Sequence, residues 1–243
     1  MPISRQERHE IHDFRSAHLA NRRLGTSTDS WLGRGPLTIA FLAVLALVVG
    51  LLLWWFAPGL DRAVRSLTVG YAGSDPYLMT ALSAASGERA AFIVGSLVGA
   101  GFAYARRDWR PGVAVMIAFL ATLLVGDVLK VMFERTCPVG RTPGRCFPSA
   151  HAAQALVIWG FVYWAVPRSI GTPRLQVLAR ITVVLVFIGT VLSRLFLDTH
   201  WATDVVAGLG LGGLGLTLAI VGARAPVGRR ARRIEAGSRR TTS

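Results

Sequence analysis

The chain has 243 residues, 52% of them apolar and only 16% charged, with a formal net charge of +14. Soluble chains average about a quarter charged residues, so the composition excludes a disordered protein and argues against an ordinary soluble domain. The interior is nearly bare of charge and both ends are basic, as in a polytopic membrane protein with arginine-rich flanks.

Residues 1–35 read as a basic segment. Within it Ile11, Phe14 and Leu19 recur among charges, the pattern of a short interfacial helix over Arg5–Leu24. The segment is too charged for a signal peptide, and no cleavage-type sequence follows the first apolar stretch, which is therefore read as retained. His9, His12, Asp13 and His18 read as a solvated helix face rather than a metal site.

Six stretches then qualify as spans: Leu37–Ala57, Ala90–Ala105, Gly112–Phe133, Ser149–Val166, Leu175–Leu197 and Trp201–Ala223. Most approach the roughly 20 residues that cross about 30 Å of hydrocarbon. The expected fold is all-α, a six-helix membrane bundle over residues 36–223 followed by an arginine-rich tail, 224–243. With the N-terminus inside, 19 of the 27 basic residues fall on the cytoplasmic side, so both termini are expected there and the location is the cytoplasmic (inner) membrane. The outer face then receives Gly59–Arg89, the loop Glu134–Pro148 and a tight turn near Asp198–His200. In the last span Gly208 and Gly212 have the small-xxx-small spacing that lets helices approach closely.

Basic residues raise the question of nucleic acid. The tail Arg229-Arg230-Ala231-Arg232-Arg233 has no interleaved aromatics, and no recognition motif accompanies it. Anionic phospholipid at the cytoplasmic face is the expected contact. The sequence does not specify an oligomeric state.

Charge inside a span is costly and asks for a partner or a function. Here it gathers toward the outer ends: Asp127 and Lys130 in span three, Ser149 and His151 opening span four, Arg194 and Asp198 closing span five, His200 and Asp204 opening span six. Pro148-Ser149-Ala150-His151 starts a helix whose free N–H groups make an anion site. The i, i+4 spacing of His200 and Asp204 puts both on one helical face, where the carboxylate can hold the imidazole tautomer. Lys130 and Arg194 supply charge for phosphoryl oxygens. Anion site, nucleophile and second histidine together describe phosphoryl transfer. Asp127, three residues before Lys130, is expected to pair with it.

These residues resemble the signatures of the type 2 phosphatidic acid phosphatase (PAP2) superfamily, in its integral-membrane lipid phosphatase branch. The third signature, Ser-Arg-x5-His-x3-Asp, is met by Ser193, Arg194, His200 and Asp204. The second, Pro-Ser-Gly-His, stands as Pro148-Ser149-Ala150-His151. The first, Lys-x6-Arg-Pro, runs from Lys130 to Pro138 but has Cys137 where the arginine belongs. The resemblance implies that His200 attacks phosphorus, Asp204 orients and charges it, and His151 protonates the leaving group and then activates water. Lys130, Ser149 and Arg194 would hold the phosphoryl oxygens. It also implies that no metal or other cofactor is needed.

Arg135, Arg141 and Arg145 lie in the same outer loop as Cys137, and Arg141, flanked by Gly140 and Pro143, is the favoured replacement for the missing arginine. Cys137 and Cys146 are the only cysteines; outside the cytoplasm they are expected to form a disulfide that braces the loop. The expected activity is hydrolysis of a membrane lipid phosphate at the outer face: a polyprenyl (di)phosphate, phosphatidic acid, phosphatidylglycerol phosphate or a phosphoglycolipid. A lipid phosphotransferase and an inactive lipid-binding relative are the alternatives. A transporter is disfavoured because the charges sit at one face rather than at the midplane.

Overall fold

Proline marks where several of the helices begin. Pro58, Pro76 and Pro173 open helices, and Pro111 sits in the first turn of another, where a missing N–H costs nothing. The computed structural model describes residues 35–69, 76–84, 87–139, 145–169 and 172–225. All regular structure among them is helical: α1 (Gly35–Phe56), α2 (Pro58–Val69), α3 (Pro76–Ala84), α4 (Glu88–Arg106), α5 (Arg110–Phe133), α6 (Ala150–Ser169), α7 (Pro173–Phe196) and α8 (Ala202–Arg224). The expected interfacial helix over Arg5–Leu24, the tail's arginines from 229 onward and Arg141 lie outside the described residues. Contacts divide the chain after Ile39. The described part of the first unit is the opening turn of α1.

Four helices, α1, α5, α7 and α8, are long and apolar enough to cross a membrane, and α4 holds a shorter apolar stretch, Arg89–Tyr104. Large apolar side chains such as Phe41, Leu124, Leu178 and Leu185 point outward from them. That exposure is unfavourable in water and neutral in lipid. The segment Gly59–Arg89, expected at the outer face, carries α2, α3 and the start of α4.

Without a hydrophobic drive between helices in lipid, close packing has to come from small residues. The core helix α8 shows how. A Cβ on Gly208 would sit 2.4 Å from the Ser149 carbonyl oxygen, and one on Gly212 would sit 2.4 Å from that of Ala153. These two glycines therefore form the contact line with α6. On another face a Cβ on Gly210 would meet the Leu47 backbone at 2.5 Å, so the same helix also lies tightly against α1. α4 and α5 cross where Gly99 faces Gly112. The Ser149 N–H donates to the Asp204 carbonyl at 2.9 Å, which ties the N-terminal ends of α6 and α8 together. A cluster of Trp54, Phe133 and Phe147, with ring centroids 5.1–5.6 Å apart, joins the ends of α1 and α5 to the loop before α6.

Candidate active site

Two helix starts and two helix ends meet at this end of the bundle, and each brings polar residues. α5 ends in Lys130, and Glu134 turns the chain out of it through a left-handed conformation (φ 42°). α7 ends in Arg194, whose carbonyl accepts the N–H groups of Thr199 (3.1 Å) and His200 (3.3 Å) and the Thr199 hydroxyl (3.0 Å). These bonds fold the turn back over the helix end. Asp198 adopts φ 52° within it, a conformation aspartate tolerates better than most residues. Arg65 of α2 grips the Asp198 carboxylate with two hydrogen bonds, 2.8 and 2.7 Å.

A pocket of about 400 Å³ opens here, lined among others by Lys130, Arg145, His151, Asp198, Thr199 and His200. Cys137 and Cys146 also line it, and they are joined in a disulfide. Lys130 pairs with Asp127 at 3.0 Å across one turn of α5. His151 sits in the first turn of α6, close enough to Arg194, His200 and Lys130 for their charges to act on it.

The imidazole of His200 has a defined proton. Its Nδ1 lies 3.1 Å from the Cys146 carbonyl oxygen, which can only accept, so in the neutral ring Nδ1 carries the hydrogen and Nε2 the lone pair. Asp204 Oδ2 is 3.7 Å from the same nitrogen, too long for a hydrogen bond and suited to an electrostatic role. The expectation of a shared helical face is corrected: His200 precedes α8, and the turn before the helix brings it to Asp204. Asp204, fully buried, accepts the Trp201 N–H at 3.0 Å and a hydrogen bond from Arg135 Nη1.

Arg135 belongs to a second constellation beside the pocket. Its Nη2 donates to Asp61 at 2.5 Å, its Nη1 to Thr203 Oγ1 at 2.7 Å, and its guanidinium lies over the rings of Trp54 and Trp201. Asp61 in turn accepts the Thr203 N–H (3.0 Å) and hydroxyl (2.7 Å). Asp61, Arg135, Thr203 and Asp204 are all buried. Arg135 is thus committed to this network and does not line the pocket.

Ser149 is buried at the start of α6, where its hydroxyl faces the Ala152 N–H at 3.5 Å as a loose cap. Arg194 is buried with Nη2 donating to Ser83 of α3 and Nε without a partner. Lys130, His151 and His200 therefore share one pocket, with Ser149, Arg194 and Asp204 buried around it. Cys146, His200 and Asp204 also approach one another closely enough for a metal, but the Cys146 sulfur is bound in the disulfide and offers no thiolate. Three parts of the site carry no motif signal: Asp61, Ser83 and the Cys146 carbonyl. The first two lie in the segment expected at the outer face, and the third is a backbone atom.

Residues 138–225 match the family model of the PAP2 superfamily. Phosphatidylglycerophosphatase B of Bacillus subtilis (strain 168) is 27% identical over 125 residues, which are 48% of this chain and 59% of that protein. The crystal structure of a transmembrane PAP2 type phosphatidylglycerolphosphate phosphatase from Bacillus subtilis superposes with a TM-score of 0.62 at 22% identity, over 76% of this chain and 94% of that one. The likeness in structure speaks for the fold; the profile spans the second and third signatures, from Pro148 to Asp204, and the helices that carry them. The chain is similar to the PAP2 superfamily through residues 138–225, the part that holds the second and third signatures.

Proposed function

We propose that the protein is an integral-membrane lipid phosphate phosphatase working through a phosphohistidine on His200. The observation that carries this reading is the pairing of a tautomer-fixed His200, Nε2 free, with His151 and Lys130 around one pocket. In the first half-reaction Nε2 attacks phosphorus, the bond from phosphorus to the lipid oxygen breaks, and His151 gives its proton to the departing alkoxide. In the second, His151 takes a proton from water, the oxygen attacks phosphorus, the phosphorus–nitrogen bond breaks and inorganic phosphate leaves. Lys130, Arg194 and the N-terminal N–H groups of α6 stabilise the equatorial oxygens, and the Asp204 carboxylate stabilises the positive ring formed on His200. No step in this route is assigned to a metal ion.

Six spans, the four long apolar helices together with α4 and α6, complete the proposed topology, with both termini inside and the pocket at the outer leaflet. The positions of the arginines support that orientation. Among the lipid phosphates considered, phosphatidylglycerol phosphate is favoured by the Bacillus relative's name, and the lipid tails would stay in the bilayer while the headgroup enters the pocket.

The test is phosphate release by detergent-purified protein from a panel of lipid phosphates in EDTA. Release is expected from the wild type and not from His200→Ala. His151→Ala should slow lipid phosphates far more than p-nitrophenyl phosphate, whose leaving group needs no proton. Equal rates for wild type and His200→Ala would overturn the reading.

A further inference from the structure

The first signature lacks its arginine, and a search for a replacement leads to the disulfide loop itself. Three basic side chains beside this site have carboxylate partners: Lys130 with Asp127, Arg65 with Asp198, and Arg135 with Asp61 and Asp204. Arg145 differs from all of them. It lines the pocket with Lys130, His151 and His200, is exposed to it, and has no ion-pair partner among the described residues. A cation facing a pocket without a counter-charge is available to a ligand anion.

Its placement follows from covalent structure. Arg145 adjoins Cys146, whose bond to Cys137 closes the loop with 5.3 Å between the two Cα atoms. The Cys146 N–H donates to the Arg135 carbonyl at 3.1 Å, which fixes the strand of loop just after Arg145. Cys137 thus occupies the arginine position of the first signature and, through its disulfide, draws an arginine from eight residues later in the chain to the same pocket.

We propose that Arg145 is the phosphate-binding cation that replaces the missing first-signature arginine, held in place by the Cys137–Cys146 disulfide. The proposal rests on the phosphatase reading above and deepens it: the substrate's phosphate, or inorganic phosphate as product, is held between Lys130 and Arg145. It also displaces the expectation that Arg141 fills this role.

The test compares the wild type with Arg145→Ala, Arg145→Lys, Arg141→Ala and the double variant Cys137→Ser/Cys146→Ser. One readout is turnover of phosphatidylglycerol phosphate in detergent micelles; the other is binding of inorganic phosphate followed by phosphorus NMR. Arg145→Ala should lower kcat/KM by roughly 10- to 100-fold and weaken phosphate binding by a similar factor, as expected for a lost charged hydrogen bond. Arg145→Lys should recover part of both, because the charge returns without the fork. Losses from Cys137→Ser/Cys146→Ser and Arg145→Ala should not multiply when combined, since both remove one interaction.

Wild-type kinetics and binding in Arg145→Ala would overturn the proposal, as would a loss confined to Arg141→Ala or a full multiplication of the two losses. In each of those cases wild-type turnover, abolished by His200→Ala, would leave the phosphatase reading standing. A wild type that neither turns over lipid phosphate nor binds inorganic phosphate would overturn both.

Discussion

Between α5 and α6 the chain sends Arg135 and Arg145 to two neighbouring places, and their surroundings are opposite. Arg135 is buried between two carboxylates, a threonine hydroxyl and two tryptophan rings. Arg145 faces an open pocket of about 400 Å³ without a carboxylate partner among the described residues. A guanidinium gripped by two carboxylates and a hydroxyl holds the fold; one without such partners is available to bind. The difference separates a structural ion cluster from the proposed substrate site ten residues further along the chain. The closed cluster fixes Asp204 next to the turn carrying His200, while the Arg65–Asp198 pair and the Cys137–Cys146 disulfide brace the wall of the open pocket.

The comparison breaks most severely on the closed side. Arg135→Ala leaves Asp61 and Asp204 buried without their counter-charge and should cost about 3–5 kcal/mol of stability, read as a lower midpoint of thermal unfolding in detergent. Arg135→Lys should recover little of it, because a single ammonium cannot reach both carboxylates as the fork does. Recovery to wild-type stability would show that charge alone matters and would weaken the contrast between the two arginines.

A smaller loss is expected where the helices that present the two histidines touch. A methyl group on Gly212 would meet the Ala153 carbonyl oxygen at 2.4 Å. Gly212→Ala should destabilise by roughly 1–3 kcal/mol through overpacking. If α6 and α8 part to admit the methyl, His151 and His200 separate as well, and kcat should fall further than unfolding explains. Activity at the wild-type level would mean that the spacing of the two helices is not what sets the histidine pair.

The smallest effect is predicted for Asp127→Asn. Its carboxylate is largely exposed, 67% for the side chain, although its partner Lys130 is mostly covered. An exposed pair of this kind contributes about 0–1 kcal/mol, so stability should barely change and phosphate release should stay near the wild-type rate. A large loss of activity would move Asp127 into the working part of the pocket.

The long helices were legible because hydrophobic length is a property of consecutive residues. Helices α5, α7 and α8 lie within a few residues of the spans read from the sequence, and α1 runs from Gly35 to Phe56 against an expected Leu37–Ala57. Gly208 and Gly212 were legible for a similar reason, since a four-residue spacing of small residues has one geometric meaning in a helix. The Asp127–Lys130 pair followed from helical spacing alone.

Helices α2 and α3 were not seen, because short helices with mixed faces give little hydrophobic signal; Pro58 and Pro76 at their starts were the available clue. The closed cluster was hidden more deeply. Asp61 meets Arg135 and Thr203 across separations of 74 and 142 residues, and nothing local to any of the three announces the others. The fixing of the His200 proton by the Cys146 carbonyl was beyond the sequence altogether, since every residue has such an oxygen. What the sequence did place beside His200 was Asp204, and the turn geometry leaves that carboxylate at 3.7 Å from the ring.

The most direct measurement on the central claim is a rapid acid-free quench of the protein during turnover of phosphatidylglycerol phosphate, followed by peptide mass spectrometry. The account predicts one phosphoryl group on His200, absent in His200→Ala; with p-nitrophenyl phosphate, whose departure needs no proton, the signal should be stronger in His151→Ala, where only transfer to water is slowed. Phosphorylation of another residue, or undiminished phosphate release by His200→Ala, would contradict it.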